Sequence, residues 1–247
     1  MSTGKPRPVR GYGSLGVDRR AELLGITGIF SELSPEQRRL LAQSCVERKY
    51  KRGHLVFCEG DPGDALFVIA SGLVKIFVTS MQGGEMVLVT LGEGDVFGEL
   101  ALVDGGPRSA SAEALTAVDL VVLGRATFYS IMEGNLPLME ALMRTIGQQL
   151  RRISDQTADF MFLDLHGRVA KLLLRFLDRQ SAATEQNTGE PTLDLHLTQS
   201  ELASMVGGSR QSISQILHSL DRRGSIQIRG RHIAIRDIEA LRRRAGL

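Results

Sequence analysis

The chain has 247 residues, of which 43% are hydrophobic and 23% charged, and its formal net charge is +2 at pH 7. This length suits one large or two ordinary domains, and the composition is that of a soluble globular protein. No apolar stretch approaches the roughly 18 to 20 residues of a membrane span, and the N-terminus lacks the apolar region of a secretory signal. We therefore expect a cytoplasmic protein without a membrane partner.

Side chains that hold metals or perform covalent catalysis show no recognisable pattern. Cys45 and Cys58 lie outside any metal-ligand spacing, and two thiols are too few for an iron–sulfur cluster, which needs about four. The five histidines are scattered, and we find no nucleophile elbow, Walker loop or kinase signature. We therefore expect a protein that is not an enzyme and that holds no catalytic residue, metal, haem or iron–sulfur cluster.

The N-terminal part predicts a tail followed by two short helices. Residues 1–17 contain Gly, Pro, Ser and basic residues without periodicity, which is typical of a flexible tail. We expect helices over residues 18–24 and 35–46, the second with Ser34 as its N-cap and Pro35 at its first position.

Beyond residue 53 the pattern changes to short β-type runs separated by glycine-rich turns. Seven short strands at this spacing predict a sandwich or a jelly-roll barrel. The predicted strands cover residues 55–58, 66–69, 73–79, 86–91, 96–97, 109–114 and 120–123.

Residues 97–110, FGELALVDGGPRSA, have the composition of a cradle for a phosphate attached to a ribose. Gly98 lets backbone amides approach a ligand, and one helical turn after it would attract an anion. Glu99 could accept a hydrogen bond from a ribose hydroxyl, while Arg108 offers a planar fork to a phosphate beside the Ser109 hydroxyl. The alternative is a β-turn with a surface Glu–Arg pair. The candidate binding residues are Gly98, Glu99, Leu100, Ala101, Arg108 and Ser109.

The next segment predicts a long helix with an apolar seam. Its apolar positions alternate at spacings of 4 and 3 over three heptads, which is typical of a two-stranded coiled coil. We favour a parallel homodimer over a helix packed on its own barrel, whose apolar stripe would be wider. The seam residues are Met139, Met143, Ile146, Leu150, Ile153, Thr157 and Phe160.

The C-terminal part predicts a helix-turn-helix after a further helix. Asp164 can cap a helix over residues 165–179, and a loop over 180–192 follows it. Thr198 and Glu201 form a capping box, Gly207 and Gly208 allow a tight turn, and Ser209 can cap the second helix. A plain pair of antiparallel helices is the alternative.

The charge of this last segment favours DNA. Residues 198–247 contain nine arginines and four acidic residues, so their net charge is +5, as expected of a protein that binds the phosphate backbone. Residues 225–235 predict a β-hairpin or wing that turns near Gly230, with Arg229 and Arg231 available for phosphates.

Together, the run 97–110, the long helix and the helix-turn-helix resemble bacterial transcription regulators of the CRP/FNR family, from about residue 29 to the C-terminus. The resemblance implies an α+β protein with an N-terminal β jelly-roll cyclic-nucleotide-binding domain, a dimerisation helix and a winged helix-turn-helix. The expected divisions are 1–17 for the tail, 18–135 for the β-roll domain, 136–163 for the helix and 164–247 for the DNA-binding domain.

The resemblance also implies roles for particular residues. The base of the nucleotide is read in the family's cyclic-AMP sensors by adjacent Thr and Ser hydroxyls, whose positions here are Ile153 and Ser154, and Gln149 stands where an arginine is common. Base-reading positions in DNA correspond to Arg210, Gln211 and Gln215, which suit guanine and adenine edges. Phosphate contacts correspond to Thr198, Gln199, Ser209 and Ser212.

The function implied is that of a homodimer that binds a palindromic operator in double-stranded DNA and is controlled by a cyclic nucleotide, cAMP being favoured over cGMP. RNA polymerase is a candidate partner. One alternative keeps the DNA function with weak or no dependence on cAMP. Another, from a different class of protein, is a cyclic-nucleotide-binding module that regulates a partner protein.

Overall fold

The chain forms two compact units. A computed structural model describes residues 15–183, 192–194, 197–229 and 232–247. Of these, residues 15–79 and 88–152 form the first unit, and 80–87 with the described residues from 153 onward form the second. Residues 1–14 of the predicted tail, residues 184–191 of the predicted loop, and Gly230 and Arg231 of the predicted wing lie outside the described residues. No helix within the described ranges has the length and apolar character needed to cross a membrane.

The predicted domain boundaries stay a prediction. They lie at the two ends of the long helix, whereas the two compact units divide inside that helix, after residue 152.

Two short helices open the first unit, as predicted. Helix α1 covers Val17–Ile26, and α2 covers Pro35–Ser44 with a complete capping box between Ser34 and Gln37. The prediction that α2 continues to residue 46 is wrong, because the backbone is extended at Cys45. Strand β1, Val46–Tyr50, begins there, and its mixture of charged and partly exposed residues gave no β-type pattern in the sequence.

The strands of the first unit form two four-stranded sheets around an apolar core. The first sheet has the order β1-β8-β3-β6 and the second β2-β7-β4-β5, so the predicted jelly-roll architecture is confirmed with one strand more than expected. The predicted strands lie within two residues of the observed ones at each end. These are β2 Leu55–Phe57, β3 Ala65–Ser71, β4 Val74–Thr79, β5 Glu85–Leu91, β6 Val96–Phe97, β7 Ser111–Ala114 and β8 Val118–Gly124.

Three helices follow the strands or interrupt them. Helix α3, Leu100–Val103, lies in the candidate cradle, and α5, Leu136–Phe162, is the predicted long helix. Helix α4, Arg125–Met132, was not predicted. One face of α5 packs into the core of the first unit, where Leu138 and Leu142 are buried together with Phe128 of α4.

The second unit contains the predicted helix-turn-helix and wing. Helix α6, Leu165–Ala183, extends beyond residue 179, so the predicted loop is wrong in its first residues, which contain no helix breaker before Gly189. Strand β9, Thr192–Asp194, and helix α9, Ile238–Arg244, were not predicted. Helices α7, Gln199–Val206, and α8, Arg210–Arg222, are followed by β10, Ile226–Arg229, and β11, His232–Ile235, in a sheet of order β10-β11-β9.

Candidate ligand cradle and candidate nucleic-acid interface

The cradle begins with a glycine that no other residue could replace without strain. Gly98 follows β6 with a φ of 79°, in the left-handed region of the backbone. A Cβ added there would lie 2.6 Å from Nη1 of Arg108 and 3.2 Å from the Phe67 ring. The absence of a side chain therefore allows the Arg108 guanidinium to approach the backbone at Gly98.

Arg108 is buried beneath the cradle, although arginine is rarely buried without partners. It is 4% exposed; its Nη1 donates to the Gly98 carbonyl at 2.6 Å and its Nη2 to the Ala65 carbonyl at 2.7 Å. Its guanidinium also lies 4.4 Å from the centre of the Phe57 ring, in a cation–π arrangement. Burial lowers the pKa of this group, against the opposite effect of nearby carboxylates.

An aromatic cluster forms the floor under the guanidinium. The Phe67 and Phe97 rings are stacked with centres 5.1 Å apart, and the Phe57 ring lies 5.6 Å and 5.9 Å from them. This packing holds Arg108 in one orientation, with its Nε unpaired among the described residues.

Glu99 is a buried acid with incomplete hydrogen bonding. It is 2% exposed, and its Oε2 atom has no hydrogen-bond partner in the described part of the chain. Burial raises the pKa of this carboxyl above its usual 4.5, while its own backbone N–H, Arg108 and Gln149 act in the opposite direction. Gln149 of α5, which also donates to the Val96 carbonyl at 3.3 Å, stands where the family resemblance places an arginine.

Two side chains of helix α4 donate hydrogen bonds to the backbone of the short helix α3. Arg125 donates through Nη2 to the carbonyls of Gly63 and Ala101, at 2.6 Å and 2.8 Å, and the Tyr129 hydroxyl donates to the Leu102 carbonyl. Leu100 of α3 is partly exposed and Ala101 is buried, while Ser109 is exposed. Sequence reasoning missed both supporting side chains, because nothing near residue 125 in the sequence indicates a contact with α3.

The predicted ligand-binding residues therefore fall into two groups. The six cradle residues, from Gly98 to Ser109, come together in the first unit. Ile153 and Ser154 lie on exposed positions of α5 that belong to the second unit.

The predicted seam lies mainly on the exposed face of α5. Met143 and Leu150 are 68% and 64% exposed, whereas Leu138 and Ala141 on the opposite face are buried. Two seam residues depart from this pattern, because Ile146 packs partly against the barrel core and Phe160 lies 5.0 Å from the Arg168 guanidinium. The remaining seam residues, Met139, Ile153 and Thr157, are exposed.

The helix-turn-helix has the predicted caps and core. Thr198 accepts from the Glu201 N–H and the Glu201 side chain accepts from the Thr198 N–H, while Gly207 ends α7 with a φ of 65°. Ser209 accepts from the N–H of Ser212, which caps α8. The shared core consists of Leu202, Val206, Ile213, Ile216, Leu217 and Leu220, all of which are buried.

The predicted base-reading residues share the exposed face of α8. Arg210, Gln211 and Gln215 are exposed, and the buried residues of α8 lie on its other side. The side chains expected to contact phosphates, Thr198, Gln199, Ser209 and Ser212, lie at the starts of α7 and α8. In the wing, Arg229 is exposed and donates to the Gln227 side chain at 2.8 Å.

Comparisons with known proteins identify both units. Residues 47–135 match the cyclic nucleotide-binding domain, and residues 167–244 match the Crp-like helix-turn-helix domain. The chain is 38% identical to a CRP-like cAMP-activated global transcriptional regulator of Mycobacterium tuberculosis, over 91% of this chain and 99% of that protein. The chain belongs to the CRP/FNR family.

Two further similarities agree with this assignment. A cyclic AMP receptor protein of Thermus thermophilus is 33% identical over 86% of this chain and 94% of its own length. The crystal structure of TTHA1359, a CRP/FNR family transcriptional regulator from Thermus thermophilus, superposes with a TM-score of 0.66 at 25% identity, over 82% of this chain and 99% of that chain. The domains of a CRP/FNR protein are those of a transcription factor rather than of an enzyme.

The buried acid of this CRP/FNR protein predicts a pH-dependent stability. Because the folded protein holds the Glu99 proton more tightly than the unfolded chain, the free energy of unfolding falls as the pH rises from about 4.5 through the raised pKa. We expect Glu99→Gln to remove this fall and to stabilise the ligand-free protein at neutral pH by on the order of 1 kcal/mol. Urea denaturation at a series of pH values measures both effects.

The matched control is Glu93→Gln, which changes the same side chain at an exposed turn. Its denaturation midpoint should follow that of the unaltered protein at every pH. If Glu99→Gln left the pH dependence unchanged, the raised pKa of Glu99 would be contradicted.

Proposed function

We propose that this chain is a homodimeric, sequence-specific DNA-binding transcription regulator of the cytoplasm, controlled by a cyclic nucleotide, with cAMP the favoured ligand. The observation that carries the proposal is the burial of Glu99 and Arg108 side by side in the cradle. A buried guanidinium and a buried carboxyl whose Nε and Oε2 atoms lack hydrogen-bond partners in the described part of the chain are costly unless a ligand uses them. The M. tuberculosis and T. thermophilus relatives, whose names refer to cAMP, support the choice of nucleotide.

The cradle residues suit the two polar parts of a cyclic nucleotide. The Arg108 guanidinium can donate charge-assisted hydrogen bonds to phosphate oxygens, and the Ser109 hydroxyl is exposed beside it. Glu99, which lies at the start of α3, can accept from the ribose 2′-hydroxyl through its unpaired Oε2. Phosphate and ribose are common to cAMP and cGMP, so the cradle alone does not distinguish the two nucleotides.

The position expected to read the base differs from that of the family's cyclic-AMP sensors. Ile153 stands where the resemblance expects a hydroxyl, and its side chain cannot hydrogen-bond a purine amino group, whereas Ser154 can. One missing neutral hydrogen bond costs about 1 kcal/mol, or roughly five- to tenfold in affinity. We therefore expect cAMP binding that is weakened but retained.

The dimer is expected to form through the exposed seam of α5. Methionine, leucine and isoleucine side chains exposed at heptad spacing are stabilised when a second helix covers them. A parallel dimer would set two recognition helices α8 about 34 Å apart, so that they enter successive major grooves of a palindromic operator. RNA polymerase is a candidate partner of a regulator bound there.

Isothermal calorimetry with cAMP and with cGMP tests the ligand, and a mobility shift with a palindromic DNA pool tests the partner. We expect Arg108→Leu to weaken binding of either nucleotide by at least about a hundredfold, since two charge-assisted hydrogen bonds are lost. Because Arg108 also supports the fold, Ser109→Ala is the second variant, and we expect a smaller loss there with unchanged thermal stability.

The outcomes separate the candidate functions. DNA affinity that does not respond to saturating cyclic nucleotide would leave a DNA-binding regulator without this switch. Nucleotide binding without any DNA affinity would instead favour a module that regulates a partner protein.

A single substitution on α5 tests how the base is read. We expect Ile153→Thr to raise cAMP affinity roughly five- to tenfold, because it restores one hydrogen bond of about 1 kcal/mol. Ile153→Val is the matched control, since valine has nearly the shape of threonine without the hydroxyl. Equal affinities for the two variants in calorimetry would remove Ile153 from the ligand site.

The recognition helix is tested by selection from random DNA. We expect Arg210→Ala to lose about 1–3 kcal/mol of discrimination at one guanine of the selected half-site. Arg222→Ala, at the other end of the same helix, should leave the preference unchanged. The glutamines at positions 211 and 215 should give a preference that differs from the best-known half-site of the family, and selection of that half-site with equal stringency would refute this reading.

A further inference from the structure

The C-terminal helix α9 presents a basic turn that the proposed function counts only within the overall basic charge of residues 198–247. Leu241 and Ala245 are buried and attach the helix to the rest of the second unit. The arginines in its last turn, Arg242, Arg243 and Arg244, are all exposed. Three consecutive cations on an anchored helix are a fixed charge pattern rather than part of a mobile tail.

The end of α9 lies against the first turn of α6. A Cβ added to Gly167 would lie 2.9 Å from the backbone oxygen of Arg244, so the two backbones are in close contact. The Arg244 guanidinium also pairs with Asp164, the N-cap of α6, at 3.4 Å. These two contacts fix where the basic turn stands.

The same turn of α6 lies against the start of the recognition helix. Side-chain carbons of Leu165 come within 3.0 Å and 3.1 Å of the position that a Cβ on Gly208 would occupy, directly before the N-cap of α8. Arg168 donates through Nε to the carbonyl of Val206, the last residue of α7, at 2.8 Å. One helical turn of about 5.4 Å therefore contacts both the end of α9 and the beginning of α8.

We propose that the last turn of α9 is a second DNA-binding element, in which Arg242 and Arg243 contact the phosphate backbone beside the groove that α8 enters. The inference rests on the proposed DNA-binding function. The charges of the two side chains support the proposal. Arg243 has no ion pair within the described residues, and Arg242 has only an exposed one with Glu239, at 3.1 Å, so both cations are available to a phosphate. Contacts of this kind add affinity without sequence preference.

An alternative role for these arginines is purely structural. Cations in the last turn of a helix interact favourably with the helix dipole, wherever that helix lies. The two roles differ in one measurable quantity. Only a phosphate contact releases counterions from DNA, so only that role changes the salt dependence of DNA binding.

The test compares the double variant Arg242→Gln/Arg243→Gln with the unaltered full chain on its selected operator and on unrelated DNA. A plot of the logarithm of the binding constant against that of the salt concentration changes slope by about 0.9 for each lost phosphate contact. For a dimer we expect the slope to become shallower by roughly 2 to 4, equally for both DNAs. Arg242→Lys/Arg243→Lys keeps the charges and should retain most of the slope.

The matched control removes two exposed, ion-paired arginines from the first unit, as Arg19→Gln/Arg39→Gln. Its slope should equal that of the unaltered protein, and thermal unfolding should show that every variant is folded at the temperature of the binding assay. Phosphate-ethylation interference should lose specific positions only in Arg242→Gln/Arg243→Gln. An unaltered slope and interference pattern in that variant would overturn the proposal, while failure of the unaltered chain to bind any DNA would overturn the proposed function itself.

Discussion

The first unit depends on the burial of a guanidinium and a carboxyl beneath one turn of chain. Taking either charge from water alone costs several kcal/mol, so each needs partners inside the protein. Arg108 has two backbone carbonyls and an aromatic face as partners. These partners are available only because Gly98 has no side chain and a positive φ, and because strands β2, β3 and β6 bring three phenylalanines together under the cradle.

Glu99 is not satisfied to the same degree, because its Oε2 has no hydrogen-bond partner among the described residues, and this asymmetry supports the proposed ligand. Burial raises the pKa of this carboxyl more than the attraction of Arg108 and the hydrogen bonds that reach it lower it. A ligand that donates a hydroxyl to the carboxyl and accepts from the guanidinium would relieve both groups at once. Such a ligand needs a hydroxyl and an anionic oxygen close together, which is the arrangement of a ribose with a cyclic phosphate.

The predictions from the sequence were most accurate for helix caps and turns, which depend on residues close together in the chain. The capping boxes at Ser34 and Thr198 and the turn at Gly207 involve neighbours within a few residues, so their motifs could be read directly. Strand β1 was not predicted, because only Tyr50 of its five residues is buried and the strand therefore shows no apolar alternation. The contacts of Arg125 with Gly63, and of Arg108 with Ala65, join residues more than 40 positions apart, and no local pattern encodes such a pairing. The cradle motif could therefore be recognised in the sequence, whereas the distant residues that support it could not.

In the second unit, one arginine of α6 connects the residue after the long helix to the last residue of α7. Arg168 donates to the carbonyls of Leu163 and Val206, at 2.8 Å in both cases, and lies over the Phe160 ring. A Cβ on Gly207 would lie 2.6 Å from that ring, so the turn between α7 and α8 also packs on the last turns of α5. The end of α5 and the turn that leads into α8 are consequently held together by two contacts, the hydrogen bonds of Arg168 and the packing of the Phe160 ring at Gly207, and separating them requires breaking both.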